Sequence, residues 1–227
     1  MGALTTTTTT ITATNGMTIT GRRFTGAGGI NVIGDVGCTI EGNAFEDCVV
    51  TGGNDSPLFM SGNAAADKVV LVQNNHFRRC ESPIKVLGQD TGSNPLTSGR
   101  SAIIRYNRFS GLRWPVGKDY ILVGVISIPH ALITGGKYVH FLYNIIDGFS
   151  EPLPVSRWEG DCVSANRSHI ADGALRIECN LFRGGSYEAE VTPITPRQNS
   201  GTLINVADQT RVLPTTTQTT GACIVEH

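Results

Sequence analysis

Val70-Leu71-Val72-Gln73-Asn74-Asn75-His76-Phe77 and Ala102-Ile103-Ile104-Arg105-Tyr106-Asn107-Arg108-Phe109 carry one pattern, with their anchor Asn residues 32 positions apart. In both, apolar residues stand five and three places before the second Asn or its equivalent, and Phe follows two places after it. Three further copies keep this register, at Asn43-Ala44-Phe45, Asn144-Ile145-Ile146 and Asn180-Leu181-Phe182, and a weaker one at Arg22-Arg23-Phe24 has Arg for Asn. The anchors are separated by 21, 32, 32, 37 and 36 residues. The unit is therefore a supersecondary repeat with a fixed anchor and loops of variable length.

The alignment also shows which secondary structure repeats. Cys38, Val70, Ala102, Val139 and Leu175 fall five before the Asn, and Ile40, Val72, Ile104, Phe141 and Ile177 three before. Between them stand Thr39, Leu71, Ile103, His140 and Arg176, so the period is two and one face is apolar, as in a strand. Beyond the anchor, the residue at plus two points inward again, and plus five supplies Cys48, Cys80, Leu112 and Phe149, with Gly185 breaking the series. Stacking such units pairs each strand with its equivalent about 4.8 Å above and below. The expected fold is all-β, a single-stranded parallel β-helix of about six coils and roughly 30 Å in length. At its corner a lone buried Asn would be unfavourable, but repeated Asn residues can bond to one another and to turn backbone. Asn43, Asn75, Asn107, Asn144 and Asn180 are read as that ladder, with Phe45, Phe77, Phe109 and Phe182 as the aromatic ladder beside it.

On this coil pattern, over about residues 16–190, the chain resembles the right-handed, pectate-lyase-like parallel β-helix group. That group includes polysaccharide lyases, glycoside hydrolases and the tailspikes of tailed bacteriophages. The resemblance implies a right-handed solenoid. Taken toward the β-helical spike and decoration proteins, it implies a homo-oligomer, a trimer, placed on a virion with other virion proteins and with host-surface polysaccharide as a further partner. The expected organisation is a Thr-rich arm over 1–15, the β-helix over 16–190, and a cap with a second Thr-rich arm over 191–227.

Composition narrows the function classes. With 18 basic and 19 acidic residues the net charge is −1, so no sequence-wide field draws the chain to nucleic acid or to a membrane surface. No run of about 18 apolar residues is present to span a bilayer. The start, Met1-Gly2-Ala3-Leu4 followed by Thr5 to Thr10, lacks the basic and apolar regions of a signal peptide. Among the six cysteines, Cys48 and Cys80 share the plus-five column, so they are either a disulfide or a pair of free buried thiols. Cys162, Cys179 and Cys223 have no metal-ligand spacing, and neither metal nor cofactor is expected. The two threonine tracts, Thr5 to Thr10 and Thr215 to Thr220, lack a core of their own and read as arms that dock on a neighbour.

Catalytic signals are sparse. A pectate-lyase site needs a carboxylate cluster for Ca²⁺ and a basic residue to abstract a proton. Instead Glu46 with Arg78, Asp47 with Arg79, and Asp147 with Arg183 are expected to meet as cross-strand ion pairs. The Arg-x-Pro-x-x-Arg signature of pectate lyases finds only Arg113-Trp114-Pro115, with Lys118 displaced by one, and the polygalacturonase signatures are absent. No catalytic residue is assigned. Arg105 and Arg108, with Trp114 and Trp158 in the Gly-, Asn- and Pro-rich insertions, are candidates for carbohydrate binding. Leu71 and Ile103 in one outward column, and Ile145 and Leu181 in another, are candidates for a subunit interface.

Three functions are compatible with these residues: a non-enzymatic structural or attachment protein of a tailed-phage virion, a polysaccharide lyase or hydrolase, and a carbohydrate-binding solenoid. The first is the expectation, because it accounts for the missing catalytic signatures and the threonine tracts together.

Overall fold

The strands follow one another in rotation, and pairing is always with the equivalent strand of the next circuit of chain. The computed structural model describes residues 3–49, 56–87, 99–113, 123–128, 131–149, 160–166, 169–171, 174–183, 204–207 and 224–226. The first circuit comprises β1 (Thr5–Thr7), β2 (Thr10–Thr12) and β3 (Thr18–Thr20); the second, β4 (Arg22–Gly26), β5 (Gly29–Ile33) and β6 (Cys38–Glu41). The third holds β7 (Ala44–Cys48), β8 (Leu58–Ser61) and β9 (Val69–Gln73), and the fourth β10 (His76–Arg78), β11 (Ile84–Leu87) and β12 (Ser101–Arg105). Two longer circuits follow: β13 (Arg108–Leu112), β14 (Val123–Ser127), β15 (Leu132–Ile133) and β16 (Val139–Leu142), then β17 (Ile145–Phe149), β18 (Gly160–Asn166), β19 (His169–Ile170) and β20 (Leu175–Glu178). The last strands are β21 (Leu181–Arg183), β22 (Ile204–Ala207) and β23 (Ile224–Glu226).

These form three large sheets, in the orders β1-β4-β7-β10-β13-β17-β21-β23, β2-β5-β8-β11-β14-β18-β22 and β3-β6-β9-β12-β16-β20, with β15 and β19 as a small fourth. Every pairing is parallel. Among the described residues the chain is all-β, without a helix, and the arrangement is compatible with a parallel β-helix.

Register puts like residues on like. Ile40 pairs with Val72, Val72 with Ile104, and Ile104 with Phe141, all buried. The rings of Phe24, Phe45, Phe77 and Phe109 stack inside the first sheet with successive centroid distances of 4.8, 4.5 and 5.0 Å. Their planes lie within 15° of parallel, because the strand spacing imposes the ring spacing. Ile146 takes the next place in the column, opposite Phe109. Phe182 continues it by register.

At the corner between the third and first sheets the five Asn side chains form a continuous ladder. Nδ2 of Asn43, Asn75, Asn107 and Asn144 each donates to Oδ1 of the next Asn at 3.0–3.1 Å. The same amides also donate to the carbonyls of Ile19, Ile40, Val72 and Ile104, and Asn180 does so to Phe141. Each Oδ1 in turn accepts the backbone N–H of the preceding anchor, down to Arg22. An interior Asn thus fills both donor sites and both acceptor sites while buried, which removes the penalty a lone amide would carry.

The N-terminal threonines differ from the expected arm. Thr5–Thr7 pairs with Arg22–Phe24, and Thr10–Thr12 with Gly29–Asn31, so the tract forms the first strands of two sheets on its own chain. β-Branched residues suit such strands, and the neighbouring edges supply the backbone partners that the sequence did not reveal. Toward the other terminus β22 and β23 extend two of the sheets, while Thr215 to Thr220 lie outside the described residues.

Arg100 is buried where a charge is not expected, just before β12. Its side chain is 0 % exposed and donates through Nη2 to the carbonyl of Gly34, two circuits away. Among the described residues nothing accepts from its Nε or Nη1. Burial pulls its proton affinity down, while Cys38 and Asp35 oppose that effect.

Candidate functional site

The residue before each anchor turns the chain from the third sheet into the first, and it does so in the left-handed region. Gly21, Gly42, Asn74, Tyr106, Tyr143 and Cys179 occupy this position with φ between 54° and 68°. Gly and Asn adopt that conformation readily; Tyr and Cys do not. The turn faces their side chains outward, because the next residue, the Asn, faces in. Tyr106 and Tyr143 are about half exposed and stack with centroids 5.4 Å apart at 19°. Arg105 lies over Tyr106 at 5.5 Å, and its Nε and Nη2 donate to Oε1 of Gln73 at 3.0 and 2.9 Å. Gln73 in turn donates to Glu41 at 2.8 Å, giving a three-rung polar ladder.

Past the corner, β13 presents Arg108 and β17 presents Ile145, which is 37 % exposed. Arg108 Nε donates to Asp147 Oδ2 at 2.7 Å. The same geometry recurs on the sheet: Arg23 with Glu46 at 3.6 Å, and His76 Nε2 with Ser110 Oγ at 2.8 Å. In each pair the second residue lies two places along the neighbouring strand from the first residue's direct partner. This corrects one expected ion pair: Glu46 faces Arg78 in register but bonds Arg23, because long side chains lean along the strand and reach the diagonal neighbour. Asp147 bonds Arg108 in the same diagonal way, while the side chain of Arg183, its expected partner, lies outside the described residues. The third expected pair does form: Arg79 Nε donates to Asp47 Oδ1 at 2.7 Å, and Arg113 joins the same carboxylate at 3.1 Å. The Arg79 hydrogen bond holds Asp47 below the usual carboxylate range.

The titratable groups nearby are quenched by their surroundings. Burial, then Arg108, keeps His76 below the ordinary imidazole value, and burial does the same to His140. His76 therefore stays neutral near pH 7. Cys38, Cys48, Cys80 and Cys179 are free thiols. Cys48 and Cys80 donate to the carbonyls of Phe24 and Phe45, at 3.4 and 3.1 Å, which decides the open alternative in favour of thiols. Burial and the Cys48 thiol push Cys80 well above the usual value, while burial takes Cys38 to about 11. Among the described residues no three His, Cys, Asp or Glu side chains converge as a metal site.

The corner thus brings Arg105 and Arg108 to one ridge, each already hydrogen-bonded to its own chain. Trp114 and Trp158 lie outside the described residues. Leu71 and Ile103 are register partners, half-buried on the third sheet; Ile145 and Leu181 are partners on the first. Sequence reasoning missed Tyr106 and Tyr143 as a pair. The available signal was Gly21, Gly42 and Asn74 at the same register, three residues that mark a left-handed turn. Comparison with family models, with curated proteins and with solved structures gave no match.

Proposed function

We propose that the three sheets are the walls of a right-handed parallel β-helix of the pectate-lyase-like kind, and that the chain is a non-enzymatic structural or attachment part of a tailed-phage particle. In this reading it is a capsid decoration, head fibre or small tail spike that works as a homo-oligomer, a trimer. The right hand follows from the general preference of parallel crossovers. The observation that carries the reading is the pairing of outward charges within the chain: Arg23 with Glu46, Arg79 and Arg113 with Asp47, Arg108 with Asp147. Charges already paired across the surface add little stability and are not free to act, whereas a lyase needs an uncompensated base beside an anion site.

A hydrolytic alternative draws on the His76–Ser110 contact, since a neutral imidazole 2.8 Å from a hydroxyl is the start of a nucleophile–base pair. Among the described residues, however, nothing bonds the other ring nitrogen to orient it. The test has two arms. Immunogold labelling of particles assembled from the genome that encodes this chain should decorate a head or tail structure. Incubation with a panel of acidic polysaccharides and host capsule should release no oligosaccharide. Release that is lost in Ser110→Ala or His76→Ala would replace the structural reading with the enzymatic one.

A further inference from the structure

We infer that Tyr106 and Tyr143 form a site of oxidative modification, at which a one-electron oxidant, a haem peroxidase with hydrogen peroxide, joins the two rings by a carbon–carbon bond. The inference is independent of the function proposed above. It begins with the backbone. The corner position is Gly or Asn in the first three repeats, where φ > 0 is met at little cost. Tyr106 and Tyr143 hold it at φ 55° and 54°, a conformation that bulky residues avoid, and such an outlier points to a side chain with a use. That use is not packing of the core. The two residues are 51 % and 49 % exposed, so an oxidant in solution reaches both.

Parallel register holds the two rings against each other. Arg105 pairs with Leu142 before the corner and Arg108 with Ile145 after it, so the tyrosines are stacked equivalents, with centroids 5.4 Å apart at 19°. Phenols fixed in this way meet at an effective concentration far above that of any free partner. Each phenol gives up one electron and its hydroxyl proton, and the two radicals join through ring carbons ortho to the oxygens. Each ring then becomes a phenol again by passing its ortho hydrogen to oxygen. Two hydrogens leave in all, and one hydrogen peroxide takes up the two electrons and two protons to become two waters. Arg105 stands 5.5 Å from the centre of the Tyr106 ring, and its partner Gln73 is a neutral amide that offsets no charge. A fixed cation there disfavours a second positive charge on the ring, so oxidation of Tyr106 goes with release of its hydroxyl proton. Cys179 follows Tyr143 in the corner column as an exposed free thiol; it holds the Tyr143 phenol above the usual value and is the competing sink for oxidant. The third described tyrosine, Tyr138, stacks on His140 and not on a phenol. Once joined, the rings tie the fourth circuit covalently to the fifth.

The full-length chain at high dilution should be treated with peroxidase and hydrogen peroxide and followed by dityrosine fluorescence, intact mass and peptide mapping, in the parent and in Cys179→Ser. The expected product is a single chain short of two hydrogens, with the Tyr106 and Tyr143 peptides linked and a higher denaturant midpoint than the untreated chain. Tyr106→Phe and Tyr143→Phe keep the ring and should each reduce the fluorescence to background, while Tyr138→Phe should retain it. Dityrosine found only in covalent dimers, or surviving in Tyr106→Phe or Tyr143→Phe, would overturn the assignment. So would its absence from the parent and from Cys179→Ser alike. Should a Phe variant fail to fold, the linked peptides of the parent decide the question by themselves.

Discussion

Asn107 accepts two hydrogen bonds from Asn75 through one atom, its Oδ1: the backbone N–H at 3.0 Å and the side-chain amide at 3.1 Å. One acceptor therefore settles both the corner backbone and the corner side chain of the circuit before it. The pattern repeats at each step, so the corner is a continuous chain of charge-free polar bonds within the core, and each member depends on the next.

Asn107→Leu should cost about 3–5 kcal/mol in denaturant unfolding, because both donors of Asn75 and the carbonyls of Val72 and Arg105 lose partners while buried. Asn63→Leu, at an exposed position, should shift the midpoint little. Similar losses at the two sites would show that the ladder contributes no more than a surface Asn.

The stacked rings set a second expectation. Phe77 lies 4.5 Å from Phe45 and 5.0 Å from Phe109 and is fully buried, so Phe77→Ala should lose about 3–5 kcal/mol. Phe77→Ile should lose only about 1–2 kcal/mol, because the same column already accommodates Ile146. Calorimetric or denaturant midpoints that place the two variants together would contradict a ladder tolerant of shape.

Arg100 gives a prediction of opposite sign. A buried guanidinium whose Nε and Nη1 meet no acceptor among the described residues is a liability, and Arg100→Met keeps most of the apolar stem. The variant should be as stable as the parent or more so by about 1–3 kcal/mol. A loss of more than about 2 kcal/mol would show that the guanidinium has a further acceptor or a bound anion.

Cys38 links stability to alkaline pH. Its folded value of about 11 lies above the ordinary thiol value of 9.0, so the native state favours the neutral thiol. That contribution is complete below pH 9 and is lost as pH rises from there through 11, because the unfolded chain releases its proton first. Two units correspond to about 3 kcal/mol at most. Cys38→Ala should flatten that part of the stability–pH curve, while Cys80, also raised by burial, leaves a residual slope. An identical alkaline decline in the variant would assign the effect elsewhere.

The repeat, the strands and their inward faces were legible in the sequence because strand periodicity is local. A residue's place relative to Asn43, Asn75, Asn107, Asn144 or Asn180 decides whether it points in or out, and stacking of like on like follows from the constant anchor. The tertiary structure alone decided three things. It placed Thr5–Thr7 and Thr10–Thr12 on the edges of β4 and β5, since a tract with no core of its own gains order only from the partner beside it. It chose Arg23 over Arg78 for Glu46 and brought Arg108 to Asp147, because the lean of a long side chain along its strand reaches a diagonal neighbour that spacing cannot identify. It also turned Tyr106 and Tyr143 outward and Arg100 inward. Those directions depend on the dihedral angle of one corner residue and on the space left between circuits, and neither is written in the hydrophobic pattern.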